Sequence, residues 1–456
     1  MKRKISLLVV VFMLLTSITT YGQVLDQEKL DEDIDFMKNI INLVIDRYHY
    51  EVDQDDIIDG LYDGFFGVLD EYSVYYTEDE YKRLMEDTAG EFVGIGVQIT
   101  DLNGQTVILT PLPDSPAIEA GIKSGDIIKY VDGVDISGLT YSEAANLIKG
   151  EEGTNVKIGI IRDNKDLNFD ITRKKVVTSS VEGKILDNGI GYLKITSFVD
   201  NTPELVMKEL LEFDENNVEK VIIDLRNNGG GTLDSAVELL NLFVTKGPVL
   251  YIDYANGQED VYTSDLEEQK YELAILINGG SASATEIFAG AVKYKNEGIV
   301  IGTQSFGKGI VQSIFQLANG AGMKFTTAEY FSVDKKPVHK IGITPDIIIE
   351  NPEIDLSEYP AFSKENKAAI GNVSLDVLTA EMILETLGYD IDKPDGVYDK
   401  TSFVQIQKFQ KENQLHPYGV IDIATQNALY QALVSYSSNN LVDLQLETAV
   451  EQLRSN

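Results

Sequence analysis

Cysteine is absent from all 456 residues. No disulfide, thiolate nucleophile, cysteine-ligated zinc or lipid-anchoring cysteine is therefore open to this chain. Histidine is almost absent too: His49, His339 and His416 lie far apart, and none falls in a metal-binding spacing such as His-Glu-x-x-His. Neither a metal nor a cofactor is expected. Basic charge is scarce, with 38 Lys and Arg against 74 Asp and Glu, a net charge of -36. Such a balance repels a phosphate backbone and leaves no basic stripe, so nucleic acid is not an expected partner. The acidic excess reads otherwise as a solvated surface. Apolar length is also short at the N-terminus, where "ISLLVVVFMLL" has 11 residues and a comfortable membrane span needs roughly 20.

That run is informative for another reason. It follows Lys2, Arg3 and Lys4 and precedes the small and polar stretch "TSITTYGQ", which is the layout of a secretory signal. Residues 1–22 are expected to be a signal cleaved near Gly22, or an uncleaved anchor if Ile5 to Tyr21 span the membrane. Either places the bulk of the chain outside the cytoplasm.

The rest reads as globular, with 43% hydrophobic and 25% charged residues in a length that suits about three domains. Residues 26–88 repeat apolar positions at helical spacing, as in "FMKNIINLVIDRYHY", and are expected to be helical. Their apolar stripes suit packing against the rest of the chain or against a second copy. Residues 89–176 alternate short β-type runs with Gly, Asp and Asn turns. Residues 177–351 switch to strand-helix alternation, "KVIIDL" then "TLDSAVELLNLFV", "LAILI" then "SATEIFAGAVKY", the pattern of parallel strands with crossover helices, and end in further β-type runs. A polar linker, 352–372, carries Pro352 and Pro360. It leads to a small three-helix module, 373–435, and a tail, 436–456. The expected fold is multidomain α+β: a helical N-terminal segment, a small β-domain, an α/β core with additional β-strands, and a three-helix C-terminal module.

Two stretches could carry chemistry. In "IVIGTQSFGKGIVQ", Gly302, Gly307 and Lys308 come close to a nucleotide-binding loop, but Gly309 stands where Ser or Thr is needed and a β-type run follows instead of a helix. Nucleotide binding fails on both counts, and a surface lysine in a glycine turn stays open. In "ELAILINGGSASATEIFAGAVKY", Ser283 and Glu286 fit a helix capping box. Alternatively, a serine at a strand-to-helix turn presents its hydroxyl beside helix amides that stabilise an oxyanion. The Gly-x-Ser-x-Gly elbow is absent. A base for Ser283 would be His339, or a lysine neutralised by burial such as Lys308.

Taken together, "SASATEIFAGAV", "SFGKGIVQ", "VIIDLRNNGGG" and "GITPD" resemble the C-terminal processing peptidases, or tail-specific proteases, over roughly Gly67 to Asp346. The segment around "GIG", Gly94, Ile95 and Gly96, with "SPAIEAGIKSGDIIKYVDG", resembles a PDZ domain, which takes a chain's C-terminus as an added strand and holds its carboxylate on the glycine loop. The elements "LGY", "DGVYDKTS", "IQKFQKENQL" and "GVIDIATQNAL" resemble a peptidoglycan-binding domain. The resemblance implies an exported serine endopeptidase that cuts near protein C-termini without metal or cofactor. It implies Ser283 as nucleophile, Lys308, 25 residues on, as general base, and Gln312 as the residue that orients the lysine. Amides of Gly230 and Ala284 would form the oxyanion hole, and Arg173 would couple PDZ occupancy to activity. Gly229 and Thr285 depart from the family, which often has proline and serine there. Protein or peptide C-termini, peptidoglycan and a second copy of the chain are the implied partners. The competing readings are an inactive PDZ and wall-binding scaffold, and a Ser-His hydrolase using His339.

Overall fold

A computed structural model describes residues 25–455, apart from 103, 163–164, 353–355, 365–366, 414 and 440–441. The expected signal or anchor, residues 1–22, lies outside the described residues. The chain divides into two compact units, one ending at Ile348 and rejoined by the residues from Gln452, the other spanning Ile349–Glu451.

The first unit opens with α1 (Gln27–Arg47) and α2 (Gln54–Phe66), then β1 (Val74–Tyr76) and α3 (Glu78–Ala89). Capping at each start is chemical: Asp26, Asp53 and Thr77 accept backbone N–H groups of their first turns. Helix α1 buries none of its residues, leaving Ile34, Met37 and Val44 exposed. Strand β2 (Glu91–Gly94) follows at once, because Gly90 ends α3 in the left-handed region at φ 69°.

The segment expected to be PDZ-like contains β3 (Val97–Leu102), β4 (Gln105–Pro111), α4 (Pro116–Ala120), β5 (Ile127–Val131), β6 (Val134–Asp135), α5 (Tyr141–Ile148), β7 (Asn155–Arg162) and β8 (Lys165–Thr172). Its sheet runs β3-β4-β5-β7-β8, so β3 is an edge. Ile95, Ile108, Val156 and Ile158 belong to a core of its own. Strand β9 (Lys174–Val177) returns to pair with β2, a two-stranded ribbon that joins this domain to the rest of the unit.

The largest core lies in the strand-helix segment: β10 (Val181–Ile185), β11 (Gly191–Ile195), α6 (Thr202–Glu215), β12 (Lys220–Asp224), α7 (Leu233–Phe243), β13 (Gly247–Tyr254), β14 (Glu259–Ser264), β15 (Glu272–Ile277), α8 (Ala284–Tyr294), β16 (Gly298–Gly302), β17 (Ile310–Gln316), β18 (Gly322–Phe331) and β19 (Ile347–Ile348). One sheet is ordered β10-β11-β12-β15-β16-β19, parallel from β11 onward. Val221, Ile222 and Ile223 of β12 and Leu276 and Ile277 of β15 are buried on both faces, which is why these strands read as unbroken apolar runs rather than alternating ones. The other sheet is antiparallel, β1-β18-β13-β14 with β17 on β18. The N-terminal segment therefore contributes a strand, β1, to the core, Val74 facing Lys324.

In the second unit α9 (Leu375–Thr386), α10 (Lys400–Glu412) and α11 (Ile423–Asn439) enclose Ile383, Ile406, Phe409 and Leu429. The stretch expected as a tail contains a further helix, α12 (Leu444–Ser455).

Candidate active site

Parallel strands β12, β15 and β16 are neighbours, and the three motifs "RNNGGG", "SASATE" and "SFGKG" each follow the C-terminal end of one of them. Loops that leave adjacent parallel strands converge at one edge of the sheet, which is where open α/β sheets hold ligands. Segments about 25 to 80 residues apart in sequence meet there for that reason.

Ser283 sits between β15 and α8 at φ 57° and ψ -119°. A non-glycine residue in this region costs on the order of 1–3 kcal/mol, so its surroundings must impose it. They do. Ser281 Oγ accepts from Asn278 N at 2.9 Å and donates to Leu225 O at 2.8 Å. Ala282 N and Thr285 Oγ1 both donate to Asn228 O, at 3.0 and 2.9 Å. Tyr330, whose phenol burial holds well above its ordinary pKa, donates to Ser283 O at 3.1 Å. A strained strand-to-helix turn is thus present at Ser283 without the Gly-x-Ser-x-Gly signature. The hydroxyls of Ser281 and Thr285 occupy the two glycine positions and fasten the turn to the β12 loop.

Glu286 reaches back to Ser283 N at 2.9 Å, as a capping box requires, but local capping is the smaller part of its work. Its fully buried carboxylate also accepts from Ser305 Oγ at 2.5 Å, Gly307 N at 2.7 Å and Lys308 N at 2.8 Å. One carboxylate therefore fixes the backbone of Ser283 and of Lys308 together. Ser305 Oγ in turn accepts from Ile343 N at 2.6 Å, and Asp346 accepts Val300 N at 2.9 Å and pairs with Lys293, which ties "GITPD" to the same loop. The capping pattern was visible in the sequence; the long-range contacts were not, since Gly307 and Lys308 are 21 and 22 positions away.

Lys308 Nζ donates to Gln312 Oε1 at 3.0 Å and lies 4.6 Å from the centre of the Tyr72 ring. Gln312 Nε2 donates to Tyr72 O at 2.5 Å. Burial first, and the positive charge of Lys324 second, press the amine below the ordinary lysine pKa, against the pull of Asp70. No hydrogen bond joins Lys308 Nζ to Ser283 Oγ; instead both residues, with Gln312, line one cavity of about 480 Å³. Apolar Phe198, Ile287 and Ile310 share its wall. His339 does not line it. Its backbone packs on Gly309, where a Cβ would stand 2.1 Å from His339 N, and this contact explains the glycine after Lys308.

Gly230, at φ 103°, lies against the Ser283 turn so closely that a Cβ would come 2.7 Å from Ala282 O and 2.8 Å from Ser283 Cβ. Its N–H donates to Asn228 Oδ1 at 2.8 Å and so is committed away from the cavity. Ala284 and Gly229 do line the cavity. Nothing lies within 4 Å of a Cβ built at Gly229, so packing does not require glycine there.

In the β-domain, Gly94 closes β2 and Ile95 is fully buried, its carbonyl accepting Ala117 N at 2.8 Å. Gly96, at φ 75°, leads into edge strand β3, and a Cβ there would lie 2.4 Å from Ser115 Cβ. Arg173 is buried, and its hydrogen bonds go to Ile148 O, Leu147 O, Thr154 Oγ1 and Asn155 O. All four partners belong to the β-domain; none belongs to the core that carries Ser283.

A family model described as "Peptidase family S41" matches residues 189–349, a PDZ domain model matches 93–172, and a peptidoglycan binding domain model matches 374–429. The carboxy-terminal processing protease CtpA of Bacillus subtilis (strain 168) is 31% identical over 468 residues, covering 100% of this chain and 99% of the relative. CtpB of the same strain is 34% identical over 437 residues, covering 94% and 90%. Among solved structures, a photosystem II D1 C-terminal processing protease is 26% identical and covers 68% of this chain and 86% of its own, at a TM-score of 0.41.

Proposed function

Since the chain belongs to the carboxy-terminal processing proteases of peptidase family S41, we propose that it is an exported endopeptidase that cuts near substrate C-termini through Ser283, Lys308 and Gln312. The observation that carries this reading is a single cavity lined by a strained serine and a lysine whose amine is pressed toward neutrality.

Neutral Lys308 removes the proton from Ser283 Oγ as it attacks a peptide carbonyl. The resulting ammonium protonates the leaving amine, and water then releases the acyl group. The Ala284 N–H, at the start of α8, faces the developing oxyanion, and the Gly230 N–H joins it once it leaves Asn228 Oδ1. Lys308 must also turn from Gln312 toward Ser283, so the described geometry suits a resting state. A substrate tail added to the β3 edge, its carboxylate on the Gly94–Gly96 turn, supplies a trigger for that turn. Arg173 fits a coupling role by fixing the end of α5, which flanks that edge.

The C-terminal module suits attachment to peptidoglycan, and wall attachment with an N-terminal signal suits work in the cell envelope. Exposed Ile34, Met37 and Val44 on α1, three and seven residues apart, suit a homodimer through that helix. The test is cleavage of an unstructured peptide by the full chain and by Ser283→Ala, Lys308→Ala and His339→Ala. The first two variants lose cleavage and the third keeps it; a dead histidine variant beside an active lysine variant would reverse the base assignment. Cleavage persists in a metal chelator.

A further inference from the structure

The loop between α2 and β1, Asp70 to Ser73, reaches the proposed site from the N-terminal segment. Tyr72 O accepts from Gln312 Nε2 at 2.5 Å, and the half-buried Tyr72 ring stands 4.6 Å from Lys308 Nζ. A carbonyl oxygen only accepts, so the end of the Gln312 amide that faces Tyr72 is its NH₂ group. The end left for Lys308 is then the oxygen, as its 3.0 Å bond requires.

The loop is itself held rigidly. Asp70 Oδ1 accepts Tyr72 N at 2.9 Å and Ser73 Oγ at 3.0 Å, and Ser73 Oγ accepts Thr326 N from β18 at 3.3 Å. The next residue, Val74, begins the β1 pairing with β18. Side-chain capping of a turn in this way fixes the direction of its carbonyls.

We infer that Tyr72 is a positioning residue for the proposed base, aligning Gln312 through its carbonyl and shielding the Lys308 amine from water with its ring. This rests on the Ser-Lys-Gln reading. Gln312 Oε1 is the sole hydrogen-bond acceptor of the amine among the described residues, whereas an ammonium has three donors to satisfy. The ring covers one side of the amine and the cavity lies on another, so a donor under the ring gains no water, which favours the neutral amine even though a ring face attracts cations. The charges facing the pair are Lys324 from β18, Asp70 and Glu71 from the loop, and Glu286 from α8. Of these, Glu71 also bonds the Tyr72 phenol, and Tyr72→Phe is the control that removes that bond while keeping the ring.

The experiment is the pH dependence of kcat and KM for the full chain on a quenched fluorescent peptide, with Tyr72→Phe, Tyr72→Leu, Tyr72→Ala and Lys308→Ala. Tyr72→Ala lowers kcat at neutral pH by roughly tenfold to a hundredfold, a share of what general-base catalysis contributes, with KM little changed. Its acid limb moves to higher pH, so activity recovers as pH rises. Tyr72→Phe keeps the ring and restores both rate and limb. Tyr72→Leu falls between, and it carries the test if Tyr72→Ala does not fold by thermal melting. A Tyr72→Ala or Tyr72→Leu limb superimposed on the wild type, or a Tyr72→Phe as impaired as Tyr72→Ala, would overturn the role of Tyr72 alone. Normal cleavage by Lys308→Ala would overturn the base assignment and this inference with it.

Discussion

Ser283 and Lys308 face the same cavity yet are held in opposite ways. The serine turn is fixed on every side, through Ser281, Thr285, Tyr330 and Glu286, and keeps a strained backbone as a result. The lysine has a fixed backbone but an amine held by one hydrogen bond and one ring face. Rigidity at the serine and freedom at the amine divide the proposed chemistry into a preset nucleophile and a conditional base. The same contrast recurs in the proposed oxyanion hole, where Ala284 lines the cavity and the Gly230 amide donates to Asn228 Oδ1.

The strongest way to break the contrast is to remove the base. Lys308→Ala should lower kcat/KM at least about a thousandfold, as loss of one member of a cooperating catalytic set does, with little change in melting temperature. Removing the shared support comes next, because Glu286→Ala leaves two buried and two part-buried donors without their acceptor. At about 1–3 kcal/mol for each unsatisfied group, it should cost several kcal/mol in denaturant unfolding and abolish cleavage. Glu286→Gln should remain impaired, since an amide NH₂ must then face N–H groups. A smaller effect tests the conditional side: the kcat of the wild type should rise with pH through a limb below the ordinary lysine range, as the depressed amine loses its proton. A limb at the carboxylate range would contradict it. The smallest change is Gly229→Ala. Its Cβ meets open space and its backbone is outside the left-handed region, so cleavage should stay within about twofold and stability should rise by about 0.4–1 kcal/mol.

Much of this was legible in the sequence because parallel strands deliver their C-terminal loops to one edge. Reading "KVIIDL", "LAILI" and "GIVIGT" as neighbouring strands is enough to bring Gly230, Ser283 and Lys308 near one another. What stayed hidden depends on contacts that no local pattern encodes. The strand-to-helix turn at Ser283 was legible, but its strain was not, because hydroxyls stand where an elbow has glycines. Glu286 looked like a cap because only its bond to Ser283 is local. Tyr72 lies 240 positions from Gln312, and its link is a backbone carbonyl that any residue type would carry. Helix α12 was read as a tail because Leu446, Ala449 and Leu453 form too short an apolar pattern to register alone.

The central claim is that Ser283 attacks and that neutral Lys308 makes it do so. Its most direct test is the rate at which a fluorophosphonate modifies the full chain across pH, read by intact mass and peptide mapping. The account predicts modification at Ser283 alone, at a rate that rises with deprotonation of an amine below the ordinary lysine range and is lost in Lys308→Ala. Modification of another residue, or an unchanged rate and pH profile in Lys308→Ala, would contradict it.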